Sequence, residues 1–305
     1  LSSNLINADE FRACAAEMGD TSHVATGPAG VVMLPRDLDL VFGASVKKIL
    51  FEGLEISDLK GSVGLKEGIL SLKEAGFNLI GCRVAMDALY GDVSPQKGFF
   101  EYHIKADDFD VKRAYNEVIM IRELAPSTGK AEGIVSLDYS IKGNLDADML
   151  PVMPSLEGGG LFSLRKVKVY GLKLFNDIGK GVERENLKNP DLSKVDIKST
   201  IKNSTVTFDQ FKFKVKGIRL KISGSTTFDS KMNLKVRVGL GPLGIIGIPL
   251  RISGTMDDLK IKYGRGGSEE ALPDSSYSDK LPAEMLDRIK NAKESDSGEE
   301  EEPGK

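Results

Sequence analysis

The chain has 305 residues, 40% of them hydrophobic, with 33 glycines, two cysteines and no tryptophan. That supplies enough apolar material for one large β domain or two ordinary ones, in a globular, turn-rich protein. Charge is unevenly divided: residues 268–305 hold 12 acidic and 5 basic side chains, leaving the body with 37 basic against 33 acidic, too mild a surplus to argue for nucleic acid.

In chain order, Asn7 or Asp9 is placed to cap a short helix through Met18, and Thr21–Gly30 reads as a loop. Residues 1–30 are therefore expected to be a short helix and loop. From Pro35 to Gly91 extended segments are punctuated by Gly43, Gly53, Gly61, Gly68, Gly76, Gly81 and Gly91, the spacing that hairpin turns and bulges require. Asp108–Leu124 breaks the rhythm, because Val111, Ala114, Tyr115, Val118, Ile119 and Arg122 recur at helical spacing. Asp108 or Asp110 is the expected cap. Strands resume over Gly133–Gly143 and Gly160–Leu174, with Pro151, Pro154 and a Gly158-Gly159-Gly160 turn between them, and Leu174–Leu187 reads as a short helix.

The clearest pattern follows. Phe211-Lys212-Phe213-Lys214-Val215-Lys216 alternates apolar and cationic residues, as do Arg219–Ile222 and Leu234–Val238. Successive strand side chains point to opposite faces, so one face is oily and the other charged. Past Gly264 the composition turns to Gly, Ser, Glu and Asp. Residues 265–305 bury too little apolar surface to offset chain entropy and read as an acidic, disordered tail.

Little in the chain points to catalysis. The only histidines are His23, in a loop, and His103, in the strand-like Phe99–Lys105; with no Cys-x-x-Cys, a transition-metal site is not expected. Asp107-Asp108-Phe109-Asp110 lacks calcium-loop spacing and is better explained by helix capping. Gly239-Leu240-Gly241-Pro242-Leu243-Gly244 fits G-x-G-x-x-G, but Pro249 breaks the helix that a dinucleotide site needs, so these glycines read as turn residues. Cys14 and Cys82 form no metal or redox spacing and can pair only if the fold brings them together. No run approaches the ~20 apolar residues of a membrane helix. The expectation is a non-enzymatic protein with no cofactor and no catalytic or metal-binding residues.

One stretch is written twice. Leu65–Met86 aligns without a gap on Ile201–Ile222, a shift of 136 positions, matching Leu70 with Val206, Leu72 with Phe208, Phe77 with Phe213, Leu79 with Val215, Val84 with Leu220 and Met86 with Ile222. A repeated strand module over about 59–91 and 195–227 suggests a sheet that grows by adding units.

Several stretches together resemble the C-terminal region of AsmA-family proteins of the Gram-negative envelope. Leu34-Pro35-Arg36-Asp37-Leu38-Asp39-Leu40 resembles the family's proline-led first strand. Leu59–Val63 and Glu67–Leu72 resemble its repeated glycine-and-strand unit, and Gly133–Leu145 the strand pair after the helical insert. Pro151–Phe162 and Ile248–Met256 resemble its later proline, glycine and closing-strand segments. The resemblance implies a domain over 31–264, mostly β with a few short helices: an elongated twisted antiparallel sheet curled into an apolar groove, with a helical insert near 108–124. It further implies periplasmic binding or transfer of phospholipid or another acyl lipid in support of outer-membrane assembly. Inner-membrane anchoring through a segment outside this chain and envelope protein partners belong to the same picture. The lining would be Leu70, Leu72, Phe77, Leu79, Val84, Met86, Val206, Phe208, Phe213, Val215, Leu220 and Ile222. Lys212, Lys214, Lys216, Arg219 and Lys221 would face water or anionic headgroups. The alternative is a closed β-sandwich serving as a structural or adhesion module, its apolar face fully occluded.

Overall fold

The computed structural model describes residues 1–7, 10, 30–51, 53–124, 126–170, 192, 194–215, 218–240, 246–255, 258–264, 277–278, 283 and 287. The expected helices at the N-terminus and over Leu174–Leu187, the acidic tail apart from four residues, Cys14, His23 and Lys216 lie outside these residues. As expected, the chain is mostly β with a few short helices; among the described residues its main sheet is not closed, and it is mixed, with two short parallel strands at one edge. It divides into two compact units. Unit 1 is Leu1–Gly129, Ile134–Ser163 and Ser199–Ser204; unit 2 is Lys130–Gly133, Leu164–Lys198 and Thr205–Lys305.

Unit 1 is built from β1 (Asp39–Phe51), β2 (Leu54–Lys66), β3 (Ile69–Leu79), β4 (Cys82–Ser94), β5 (Lys97–Asp110), β6 (Ile134–Leu145) and β7 (Glu157–Leu164, all but its last residue), each hydrogen-bonded to the one before it. Among the described residues the order is linear, with none of β3–β7 pairing with β1. Two short parallel strands, Ser2–Ser3 and Ile6–Asn7, pair with β1. Between β5 and β6 lie α1 (Val111–Glu117) and α2 (Ile119–Leu124). Asp110 is the N-cap, its carboxylate accepting the Arg113 N–H at 2.8 Å, which supplies a donor that the first helical turn leaves unpaired. The predicted single helix breaks at Val118, which adopts extended angles.

Gly158, Gly159 and Gly160 are not a turn. They lie inside β7 because neighbouring backbone comes too close for any side chain: a Cβ on Gly158 would sit 2.2 Å from the Ser140 carbonyl oxygen, and one on Gly160 2.2 Å from that of Asp138. Proline and glycine runs signal chain punctuation in general, and here close strand approach is the use made of it.

Strand β8 (Val195–Lys202) has residues in both units. Unit 2 contains β9 (Thr205–Val215), β10 (Ile218–Thr227), β11 (Lys231–Leu240), β12 (Ile246–Thr255) and β13 (Leu259–Gly264), again each paired antiparallel with its predecessor. Tyr277–Ser278 adds a last short pairing to β13. Ala131–Glu132 pairs separately with Lys168–Val169. Leu240 pairs with Ile246 and Pro249 lies in a strand, while residues 241–244 of the glycine-rich motif lie outside the described residues.

The two copies of the repeat have the same anatomy. Strands β3 and β9 have the same limits under the 136-residue shift, and β4 and β10 begin at equivalent positions. Each pair shifts register once, between Leu72 and Ala75 in one copy and between Phe208 and Phe211 in the other. The turn before each is also shared: Glu67-Gly68 and Asn203-Ser204 all have positive φ, the geometry of a tight two-residue hairpin loop.

Candidate functional site

Strand register assigns every position of unit 1 to one of two faces. On one, Leu40, Leu65, Leu70, Tyr90 and Phe100 stand opposite one another across β1–β5. The next row is Phe42, Val63, Leu72, Ala88, Tyr102 and Ile141. The rings of Phe100 and Tyr102 stack at 4.8 Å. Exposure falls along the first row, from 46% at Leu40 and 37% at Leu70 to 4% at Phe100, and Phe42 is 38% exposed. Past the register shift the same face carries Phe77, Val84 and Ala106, all buried. Unit 1 therefore has an apolar stripe that is open at β1–β3 and closed toward β5.

A strap is tied to the Asp92 end of this face. The Asp92 side chain is wholly buried; it accepts the Leu34 N–H at 3.0 Å and the Arg36 guanidinium at 3.0 Å. Val31 N–H donates to the Pro95 carbonyl at 2.9 Å, and the Tyr90 hydroxyl donates to the Val32 carbonyl at 2.6 Å. Burial, with the Asp92 charge behind it, pushes the Tyr90 phenol up to about 12. Leu156, 1% exposed, packs where a side chain on Gly143 would stand, opposite Phe100. At the other end, the Arg113 guanidinium lies against the Gly81 turn. Cys82 is buried there; desolvation raises its thiol above the usual range, the opposite of what a reactive thiolate requires.

The other face of unit 1 is polar and pairs opposite charges across strands: Arg83 with Asp107, Lys105 with Asp138, and Glu101 with Lys142. His103 belongs here, its Nδ1 2.8 Å from the Ser140 hydroxyl. An open hollow of about 390 Å³ lies on this face where β3 shifts register, lined in part by Glu74, Arg83, Asp87, His103 and Lys105. Asp108, expected as a possible cap, instead binds Ser136, whose hydroxyl accepts its N–H at 2.9 Å.

Unit 2 repeats the two-faced design with different outcomes. Its apolar rows are Phe213–Leu220–Val238–Ile248, buried throughout with Leu220, Val238 and Ile248 at 0% exposure, and Phe211–Ile222–Val236–Leu250–Tyr263, buried except for half-buried Phe211 and Tyr263 at its ends. Its outer rows set like charges opposite one another: Lys212–Lys221–Arg237, Lys214–Arg219 and Lys235–Arg251–Lys262. Desolvation first, then Lys212 and Arg237, pulls the Lys221 ammonium below its usual range. The Arg237 guanidinium lies over Gly247, where a larger side chain would stand.

Of the residues expected to line a groove, Leu70 is exposed and Leu72, Leu79, Met86, Val206 and Phe208 are half-buried. Phe77, Val84, Phe213, Val215, Leu220 and Ile222 are buried. Lys212, Lys214 and Arg219 are exposed and Lys221 half-buried, on the opposite face of unit 2. The sequence reading missed the open part of the stripe, Leu40, Phe42 and Leu65, although Leu38-Asp39-Leu40 carries the alternation that marks it. It also missed Asp92 and placed a strand over Leu34–Asp37, where the chain forms the strap and β1 begins only at Asp39. Among the described residues no group of three or more His, Cys, Asp or Glu gathers as a metal site, and no helix is long and apolar enough to cross a membrane. Compared with known proteins, the chain matches no family model, no curated relative and no solved structure.

Proposed function

We propose that this protein is a non-enzymatic lipid-binding or lipid-transfer protein that holds phospholipid acyl chains against the open apolar stripe of unit 1. The observation that carries the reading is the exposure of Leu40, Phe42 and Leu70 in rows that run without a polar break into buried Phe100 and half-buried Tyr102. Each methylene taken out of water is worth about 0.8 kcal/mol, so such a stripe holds an acyl chain firmly without a specific contact and lets it slide. The resemblance to AsmA-family sequences extends the proposal to the Gram-negative periplasm, with anchoring to the inner membrane through a segment outside this chain and a role in outer-membrane assembly. The buried apolar face of unit 2 favours a second reading for that unit alone, a closed structural module.

Native mass spectrometry of the purified chain, with lipid extraction from the same sample, tests the proposal. Phospholipid should co-purify with the wild type and be lost from a Phe42→Glu/Leu70→Glu variant that keeps its circular dichroism spectrum. A lipid-free wild-type mass, with no uptake of a fluorescent phospholipid, would overturn it.

A further inference from the structure

The strap of unit 1, residues 31–37, crosses the sheet where its apolar rows end. It starts at the β4–β5 turn, where the Val31 N–H donates to the Pro95 carbonyl at 2.9 Å. From there it passes Tyr90 and Asp92 on β4 and reaches the β2–β3 turn, where Arg36 lies against Gly68. We propose that this strap is a gate at one end of the apolar stripe, shut in the form described and displaced by the acyl chain that the stripe takes up. This role rests on unit 1 holding lipid, as proposed above, and adds how that site is regulated.

The strap is fastened by polar bonds more than by buried side chains. Val31 is buried and Leu34 half-buried, but Val32 is 45% and Met33 51% exposed. A segment with few buried apolar contacts opens at a cost well below that of unfolding the sheet beneath it. One fastening also belongs to the stripe itself. Tyr90, whose hydroxyl donates to the Val32 carbonyl at 2.6 Å, stands in the row between Leu70 and Phe100. An acyl chain that advances along this row from Leu70 therefore competes with the strap for the same surface.

Asp92 makes the closure reversible. Its side chain has no exposure, and both side-chain partners, the Leu34 N–H and the Arg36 guanidinium, are supplied by the strap. A carboxylate left buried without them would be costly. Asp92 stands two positions from the end of β4, opposite Gly98, so lifting the strap admits water to the carboxylate in the same movement. The open form then holds no buried unpaired charge. An apolar side chain at position 92 would gain nothing from water on opening and would hold the strap down; the acid gives a seal that can be undone.

Two measurements on the full chain test the gate. The first is the rate at which a fluorescent phosphatidylcholine is taken up from vesicles. Asp92→Ala, which removes a buried hydrogen bond from the shut form only, should raise that rate about tenfold. Tyr90→Phe, a milder change that loses one hydroxyl, should raise it by less. Adding Phe42→Glu/Leu70→Glu to Asp92→Ala should abolish the gain. The second is hydrogen exchange at the Val31 amide, whose acceptor is Pro95 and not Asp92 or Tyr90. In the wild type it should exchange well ahead of the amides in the β5–β6 ladder, and phosphatidylcholine should speed it further. Equal uptake by wild type and both variants, or a Val31 amide unmoved while lipid is bound, would overturn the gate and leave the stripe standing. A gain that survives Phe42→Glu/Leu70→Glu would place the lipid elsewhere and overturn it too. If no form takes up phosphatidylcholine, the lipid-binding reading itself falls, and the gate with it.

Discussion

Asp92 shows how one carboxylate can organise a segment that sequence pattern cannot. It lies on the apolar face, two positions from Tyr90, where a charge is costly unless hydrogen-bonded. Its two oxygens answer that cost separately, one taking the Leu34 N–H and the other the Arg36 guanidinium. Arg36 is itself 61% exposed, so screening leaves the ion pair a minor contributor and the bond to the buried N–H the larger one. Asp92→Ala should therefore cost about 2 kcal/mol in urea denaturation, whereas Arg36→Gln should cost well under half of that. Equal losses from the two variants would mean that the ion pair, not the backbone bond, fastens the strap. Nothing in the local sequence marks Asp92 for this role, because its partners lie 56 and 58 positions away.

Among the elements, the strap and the bulges decide which residues share a face. Tyr90 links the strap to β4 through its hydroxyl, and its phenol stays protonated up to about 12 in the folded chain, against an ordinary value near 10. A raised folded value means stability that is complete below the unfolded value and is lost as pH rises through the folded one. The chain should therefore lose stability between pH about 10 and 12, and Tyr90→Phe should flatten that loss while costing about 1 kcal/mol at neutral pH. Urea midpoints measured across this range check it; an unchanged alkaline slope in the variant would assign the effect to the other raised phenols, Tyr102 and Tyr139. The bulges explain why the sequence was only partly readable. Alternation in Phe211–Val215 is plain to the eye, yet Phe208 and Phe213 differ by an odd number and would face opposite ways in a regular strand. They share a face only because register shifts between Phe208 and Phe211, and Leu72 and Phe77 are reconciled in the same way. The gap-free repeat carried this information, since both copies place apolar residues with the same change of parity. Burial was the part left illegible. Within β3 alone, one apolar face is open at Leu70 and sealed at Phe77, and what seals a face is set by distant chain, not by the strand's own residues.

For the molecule as a whole, the two units use a single structural plan and spend their polar faces differently. Unit 1 neutralises its outer face strand by strand, and unit 2 concentrates cations there. Strand order has a consequence of another kind. In β1–β7 and again in β9–β13, every strand pairs with the one made immediately before it. A growing chain emerging from a ribosome, or threading from a narrow channel, would find each partner already waiting and could add one hairpin at a time. Such neighbour-only pairing keeps contacts close in sequence, and rates rise as contacts become more local. The chain should thus refold faster in stopped-flow experiments than a Greek-key sandwich of equal length, with early hydrogen-exchange protection in the β2–β3 and β9–β10 hairpins. Protection that arrives everywhere at once, and slowly, would mean that assembly waits for the whole sheet. If the hairpins do form in order, the protein can be built safely in a compartment that receives it unfolded, since no strand has to wait long, with its edge bare, for a partner yet to be synthesised.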